Sequence, residues 1–411
     1  MTSLADLGFD PLSTAFSTDP YPVYRALREQ EEILYFEEQD MWLLSRYDDV
    51  SAVATDPTMV RSLVGISPAE ELAKRQRLNN WHDMPYHERF VQFSLLDSDG
   101  EVHRRLRKQV FGAFTGRSVE TLEPMVQTFV DGLIDELADR SEFDFIEDFA
   151  AHIPGYVIGK FLGAPTEDCR QLRRWSEQVV RFFDVDRNDE KKVIAETATR
   201  EFYQYLVDLK VEREKRPKDD LISTMLEQQR AGQYSDDEFI STCMLILMAG
   251  HGSTIDVLGS GMHTLLKNPD AMKRLRNQPE MLPDAIQEMF RFESPLPFFH
   301  RHATQDTDVG GNRYPAGTTF GLLYGAANRD PSHFDDPDTF RIDRQPNRHL
   351  AFGRGPHLCL GNHLARLNMK IIFSTLLRRF NEIELAEDAV VYKRGLSVRG
   401  PKRLSVGWRA A

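Results

Sequence analysis

The stretch HLAFGRGPHLCLGNHLARL, His349–Leu367, carries one of the three cysteines of a 411-residue chain, and its reading decides the rest. Gly353 and Gly355 stand just before Cys359. Both can take backbone angles that a side chain resists, so the chain can fold back tightly ahead of the sulfur. From Leu360 onward, LGNHLARLNMKIIF spaces its apolar residues three and four apart and reads as a helix. A thiolate at a helix N-terminus is stabilised by the dipole and by free amide N–H groups, which suits it to bind a metal. A lone cysteine is more commonly a small buried hydrophobe, and this stretch taken residue by residue allows both readings.

A second long signal lies upstream. In YSDDEF, Ser235 is a good N-cap and Glu238 completes a capping box. The helical pattern runs to Lys267, before NPD, about 32 residues or about 48 Å at 1.5 Å per residue. Its middle, MAGHGSTIDVLGSG, holds Gly250, Gly252, Gly259 and Gly261. Each glycine costs about 1 kcal/mol against alanine in a helix interior. Close approach of another helix or of a bulky ligand would compensate. The neighbouring His251, Ser253 and Thr254 favour a ligand.

Around these two segments the pattern is mainly α with a minor β region. Helical spacing recurs in YPVYRALREQ, VHRRLRKQVFGAF and VETLEPMVQTFVDGLIDELADR. Strand-like pieces are ILYF and MWLLS early, and YPAGTTFGLLY and KRLSVGW late. No repeat, low-complexity tract or Gly/Ser linker interrupts the chain, so one domain over residues 1–411 is expected. Arg61–Ser94 reads as a long irregular connection dotted with aromatics, the usual mark of a functional loop or lid.

Composition narrows the partners. A formal net charge of −13 argues against nucleic acid and against an anionic membrane surface. The N-terminal MTSLADLGFDPLSTAF lacks the basic and apolar regions of a signal peptide, and the clean apolar run Cys243–Gly250 is too short to span a bilayer. Cys169, Cys243 and Cys359 are widely spaced and odd in number, which gives neither a disulfide framework nor a zinc pattern. A cytoplasmic location is expected.

The cysteine stretch resembles the cysteine loop of the cytochrome P-450 family. That pattern runs Phe, two residues, Gly, one, Arg or His, one, Cys, one, Gly, then Ala four later. Phe352, Gly355, His357, Cys359, Gly361 and Ala365 match it. Further resemblances follow in the family's order. DPYPVYRALRE is similar to its N-terminal helix, and HRRLR, with His103 and Arg107, to the helix that contacts haem propionates. EMFR, with Glu288 and Arg291, is similar to the Glu-x-x-Arg pair. Arg344, at the end of AANRDPSHFDDPDTFRIDR, resembles the arginine that joins that pair behind the haem pocket.

The resemblance implies a P-450 fold with haem b between the long central helix and the cysteine-loop helix, and Cys359 as the axial thiolate. Propionates would fall to His103, Arg107, Arg301 and His357, while Ala249, Gly250 and Gly353 would also adjoin the haem. The implied pocket includes Leu245, Ala249, Leu296, Phe298 and Phe299, with parts of Arg61–Phe93 and the turn near Ser397 and Val398. The implied activity is insertion of one oxygen atom of O2 into a small, largely apolar substrate. Electrons would come from a separate ferredoxin and its reductase, because no flavin or iron–sulfur signature accompanies the domain. Arg104, Arg105, Lys108, Arg354 and Arg366 would form a basic patch for that carrier. One departure stands out. The family's central helix usually places an acid before an alcohol, and here AGHGST puts Gly252 in the acid's place and Ser253 in the alcohol's. Proton delivery could pass to water, His251, Thr254 or Asp256, although a structural salt bridge is the simpler expectation for Asp256. The missing acid keeps two alternatives open: a haem protein that binds without turnover, or an unusual oxidation such as coupling, C–C cleavage or nitration.

Overall fold

The computed structural model describes residues 3–387 and 389–410. Helices dominate it, and the central one spans Asp236–Lys267, with both halves of the capping box in place. Ser235 Oγ accepts from the Glu238 amide at 3.2 Å, and the Glu238 carboxylate accepts from the Ser235 amide at 2.9 Å. Among the described residues this is the one helix long and apolar enough to cross a membrane, but most of it is buried inside the fold. It packs against the helices His152–Leu162, Cys169–Phe182 and Leu282–Phe292. The last of these also packs against the cysteine-loop helix Asn362–Arg379, whose other neighbour is Glu123–Leu137. One large apolar core fills the space between these helices.

Three of the central helix's four glycines are closely packed by neighbouring side chains, which accounts for Gly259 and Gly261 without a ligand, while Gly250 also borders the cavity described below. A Cβ on Gly250 would stand 2.9 Å from Ile158, and one on Gly259 2.5 Å from Ile146. One on Gly261 would meet Met289 at 3.0 Å. Only beside Gly252 is the space open, with nothing within 4 Å.

The β region is small. A five-stranded sheet runs in the order Leu34–Phe36, Met41–Leu44, Thr319–Leu322, Phe299–Ala303, Met59–Val60. Met41–Leu44 pairs parallel with Thr319–Leu322, and the other neighbours are antiparallel. A three-stranded sheet joins Glu142–Asp144, Ser405–Ala410 and Phe380–Leu385.

Arg61–Ser94 is not irregular. It contains the helices Ala69–Leu78 and Pro85–Phe93. The second starts at a proline, and the Glu196 carboxylate accepts from the Tyr86 and His87 amides, both at 3.0 Å. A distant helix thus supplies the N-terminal cap that the local sequence lacks.

Candidate active site

Cys359 is presented by two left-handed glycines and a short turn. Gly353 has φ +67° and Gly355 φ +74°. The Gly353 amide donates to Leu350 O at 2.8 Å, and the Leu358 amide to Gly355 O at 3.0 Å. The Cys359 amide returns to Phe352 O at 2.8 Å, closing the loop. Gly355 also passes so near the helix Tyr47–Thr55 that a Cβ would stand 2.6 Å from Ala54 O. Three residues beyond the cysteine the helix Asn362–Arg379 begins.

The sulfur fronts a cavity of about 240 Å³. Burial pushes the thiol's pKa up, while the Gly361 amide, Arg107 and Arg366 pull it back toward the thiolate. Facing it across the cavity is the central helix. Leu245, Ala249, Gly250, Ser253 and Thr254 line the wall. Their spacing marks one stripe of an α-helix. His251 lies on the opposite side, fully buried, with Nδ1 2.9 Å from Leu247 O and Nε2 without a partner. Burial holds its imidazole below its ordinary pKa. It therefore does not reach the cavity as a proton relay. Asp256 is also buried and forms a salt bridge of 2.6 Å with Lys393 Nζ. Gly252 is half-buried and is not part of the cavity wall.

His103, Arg107, Arg301 and His357 converge on the cavity together with Arg61, the first residue of the Arg61–Phe93 stretch expected to contribute to the pocket. The His103 and His357 rings are 4.2 Å apart, and His357 Nε2 is 3.1 Å from Asp99 Oδ1. Arg61 pairs with Asp97 at 3.0 Å. Arg107 and Arg301, in contrast, have no carboxylate within ion-pair distance among the described residues. Arg107 donates to Leu358 O at 2.7 Å and Arg301 to His300 O at 2.8 Å. Burial lowers the pKa of Arg301 to about 10. Two charged guanidinium groups without counter-ions suit a ligand carrying two carboxylates.

Other expected residues divide. Phe352, Gly353, Gly361, Ala365, Leu296 and Phe299 line the cavity. Phe298 does not: it is buried in a separate core with Phe9 and Leu43. Alternation along the strand explains the difference, since Phe299 shares a face with Arg301. Val398 is half-buried outside the cavity wall. Behind the cavity, Glu288 receives Arg291 through two bonds of 2.7 Å and Arg344 Nε through two of 3.1 Å. This fully enclosed triad fastens Asp335–Arg344 to the helix carrying Phe290, a cavity-wall residue.

These observations test the fit of haem. Among the described residues no group of three or more His, Cys, Asp or Glu could hold a bare metal ion. An iron on Cys359 therefore needs its remaining ligands from a prosthetic group. The apolar wall, the single sulfur and the two unpaired guanidinium groups fit a flat apolar macrocycle with two carboxylates. When bound, haem supplies oxygen activation, and the thiolate favours O–O cleavage by pushing electron density to the iron.

Comparison with known proteins agrees. The family profile described as Cytochrome P450 matches residues 165–406. The chain is 34% identical over 410 residues to the polyketide biosynthesis cytochrome P450 PksS of Bacillus subtilis, covering 97% of this chain and 98% of that protein. It is 32% identical over 412 residues to 6-deoxyerythronolide B hydroxylase of Saccharopolyspora erythraea, covering 99% of both. The crystal structure of myxobacterial cytochrome P450 CYP267B1 in complex with myristic acid superposes with a TM-score of 0.89 at 36% identity, covering 97% of this chain and 98% of that one. The cysteine loop, the cavity it shares with the central helix and these full-length similarities place the chain in the cytochrome P450 family, a family of haem-dependent monooxygenases.

Proposed function

We propose that this enzyme inserts one oxygen atom of O2 into a largely apolar substrate of the polyketide or fatty-acid kind, in the cytoplasm, with electrons from a separate ferredoxin and reductase. The observation that carries the reading is the shared cavity, with Cys359 on one wall and the Ser253 and Thr254 hydroxyls on the central helix. Its lining is otherwise largely apolar, including Leu245, Leu296 and Phe299, which suits a hydrocarbon body. The names of the relatives support the substrate class: one serves polyketide biosynthesis, one hydroxylates 6-deoxyerythronolide B, and one was crystallised with myristic acid.

Within that reading, Arg107 and Arg301 hold the propionates, Cys359 holds the iron, and Ala249 and Gly250 leave room for the ring. Ser253 and Thr254 manage protons. Ser253 Oγ donates to Ala249 O at 2.9 Å, so its lone pairs are what it offers to the cavity. The Thr254 hydroxyl is engaged by no hydrogen bond among the described residues and is the free donor. Electrons enter on the cysteine side. Arg104 and Lys108 border a surface recess there with Phe111 and Pro356. Arg105 does not belong to that face, since it pairs with Glu238 at the start of the central helix at 2.5 Å.

Purified enzyme, a surrogate ferredoxin system, NADPH and isotopically labelled O2 test the proposal against a panel of apolar acids and macrolactones. One labelled oxygen atom in a product supports it. Substrate-induced spectral shifts without any product would favour a binding protein, and an oxidised product without the label would favour coupling.

A further inference from the structure

Arg187 lies in the turn between the helices Cys169–Phe182 and Asp189–Lys215. It has no carboxylate within ion-pair distance among the described residues. Its partners are neutral acceptors: Phe182 O at 3.1 Å, Gln39 Oε1 at 3.0 Å and Asn79 Oδ1 at 2.6 Å. Its Nη2 has only a loose contact of 3.4 Å with Phe183 O. Arg107 and Arg301 share this lack of a counter-ion, but two propionates account for them. Nothing in the haem site accounts for Arg187.

The groups around it are donors. The guanidinium stands 5.4 Å over the Trp81 ring, and Trp81 Nε1 is buried without a partner. His87 lies against Trp81 and Phe183, is fully buried, and leaves both ring nitrogens unpartnered. On the strand Phe299–Ala303, His300 points away from the haem cavity, alternating with Phe299 and Arg301. The residue is half-buried, and its ring makes no hydrogen bond among the described residues. Burial first, and then the charges of Arg61, His302, Arg301 and Arg187, hold its imidazole well below its ordinary pKa. The nearby carboxylates are spent. Asp184 accepts from the amides of Val185, Leu396 and Ser397. Asp186 pairs with Lys191, Asp189 accepts from Asn80, and Asp97 pairs with Arg61.

We infer that this corner, formed by Asn79–His87, Phe183–Arg187 and His300, is a binding site for the carboxylate end of an apolar substrate. An anion there supplies the counter-charge that Arg187 lacks and acceptors for the orphaned N–H groups. The corner adjoins the strand Phe299–Ala303, whose other face, with Phe299 and Arg301, lines the haem cavity. The inference rests on the proposed monooxygenase reading and narrows its substrate to carboxylic acids.

The test is a spectral titration of the ferric holoenzyme at neutral pH with tetradecanoic acid and with methyl tetradecanoate. The wild type is expected to bind the acid at least about tenfold more tightly, a difference of about 1.4 kcal/mol. Arg187→Gln should remove that preference and leave ester binding unchanged. Arg187→Lys should keep most of it, which a merely structural arginine would not predict. His300→Leu, which leaves the Arg187 contacts intact, should reduce it. Equal affinity for acid and ester in the wild type, or an acid preference that survives in Arg187→Gln, would overturn the inference. Failure of both probes to shift the spectrum would overturn it too. The thiolate-type ferrous carbon monoxide band and turnover of the ester or another neutral substrate test the monooxygenase reading separately, and neither depends on Arg187.

Discussion

Replacing Gly355 with alanine should damage the cysteine loop far more than the same change at Gly353. Both residues are left-handed, with φ +74° and +67°, so each alanine carries a backbone penalty of about 1–2 kcal/mol. The surroundings differ. A Cβ at Gly353 meets nothing nearer than 3.7 Å, whereas one at Gly355 stands 2.6 Å from Ala54 O and 3.0 Å from Thr55 Cα. Both of those atoms belong to backbone and cannot rotate away. Forcing the extra methyl in should cost a further ~1–3 kcal/mol, as overpacking does elsewhere. Gly353→Ala should therefore lose about 1–2 kcal/mol, and Gly355→Ala about 2–5 kcal/mol. Denaturant unfolding of the two holoproteins, followed at the Soret band and by far-ultraviolet circular dichroism, reads the difference. The haem-to-protein ratio after gel filtration should fall in the same order. Equal losses in the two variants would show that the approach of the loop to Ala54 does not constrain it.

Four further outcomes are expected. Arg107→Ala and Arg301→Ala should each weaken haem retention by about 3–5 kcal/mol, measured as haem transfer to an acceptor protein, because each leaves a buried propionate unpaired. Glu288→Gln strands Arg291 and Arg344 together in the interior and should lower stability by about 3–5 kcal/mol in denaturant unfolding; a loss under 1 kcal/mol would mean that the backbone carbonyls suffice. Ser253→Ala and Thr254→Val should leave substrate affinity nearly unchanged but divert NADPH into hydrogen peroxide, with product falling by about 10²–10⁴-fold if the hydroxyl is the proton source. Gly252→Ala should stabilise the holoprotein by about 0.5–1 kcal/mol, since the added methyl meets nothing; a destabilised variant would contradict the open space seen there.

How much of this was legible in the sequence depended on whether the cause was local. The central helix was read to its last residue because Ser235 and Glu238 cap one end and the Asn268–Pro269 step closes the other. Ala69–Leu78 was missed although AEELAKRQRL is rich in helix formers. None of its residues is buried, so it carries no apolar stripe to recognise. Pro85–Phe93 depends on Glu196, more than 100 residues away in the chain, and no local pattern could announce that cap. Two misplacements were avoidable. Strand alternation from Arg301 puts Phe299 on the cavity side and leaves Phe298 off it. A helical wheel through Leu245, Ala249 and Ser253 turns His251 away from them. Arg61 could be named only as the start of a stretch expected to contribute to the pocket, because its exact place is set by pairing of Met59–Val60 with Phe299–Ala303.

The central helix carries a sharper lesson about Gly252. Gly250, Gly259 and Gly261 give up helix propensity and gain close packing against Ile158, Ile146 and Met289. Gly252 gives up the same ~1 kcal/mol and gains no packing at all. Its reason therefore lies in the space rather than in a contact. No acid substitutes for it nearby: Asp256 is held by Lys393, and His251 is enclosed on the far side of the helix. What remains at the cavity on this part of the helix is a pair of hydroxyls, Ser253 donating to Ala249 O and Thr254 without a hydrogen bond among the described residues. A relay of that kind needs water to link it to solvent, and water needs room. An acid at position 252 would stand in the open space beside the helix, outside the cavity wall. With glycine there, the expected proton route runs through Ser253, Thr254 and solvent, and the Ser253→Ala and Thr254→Val variants decide it.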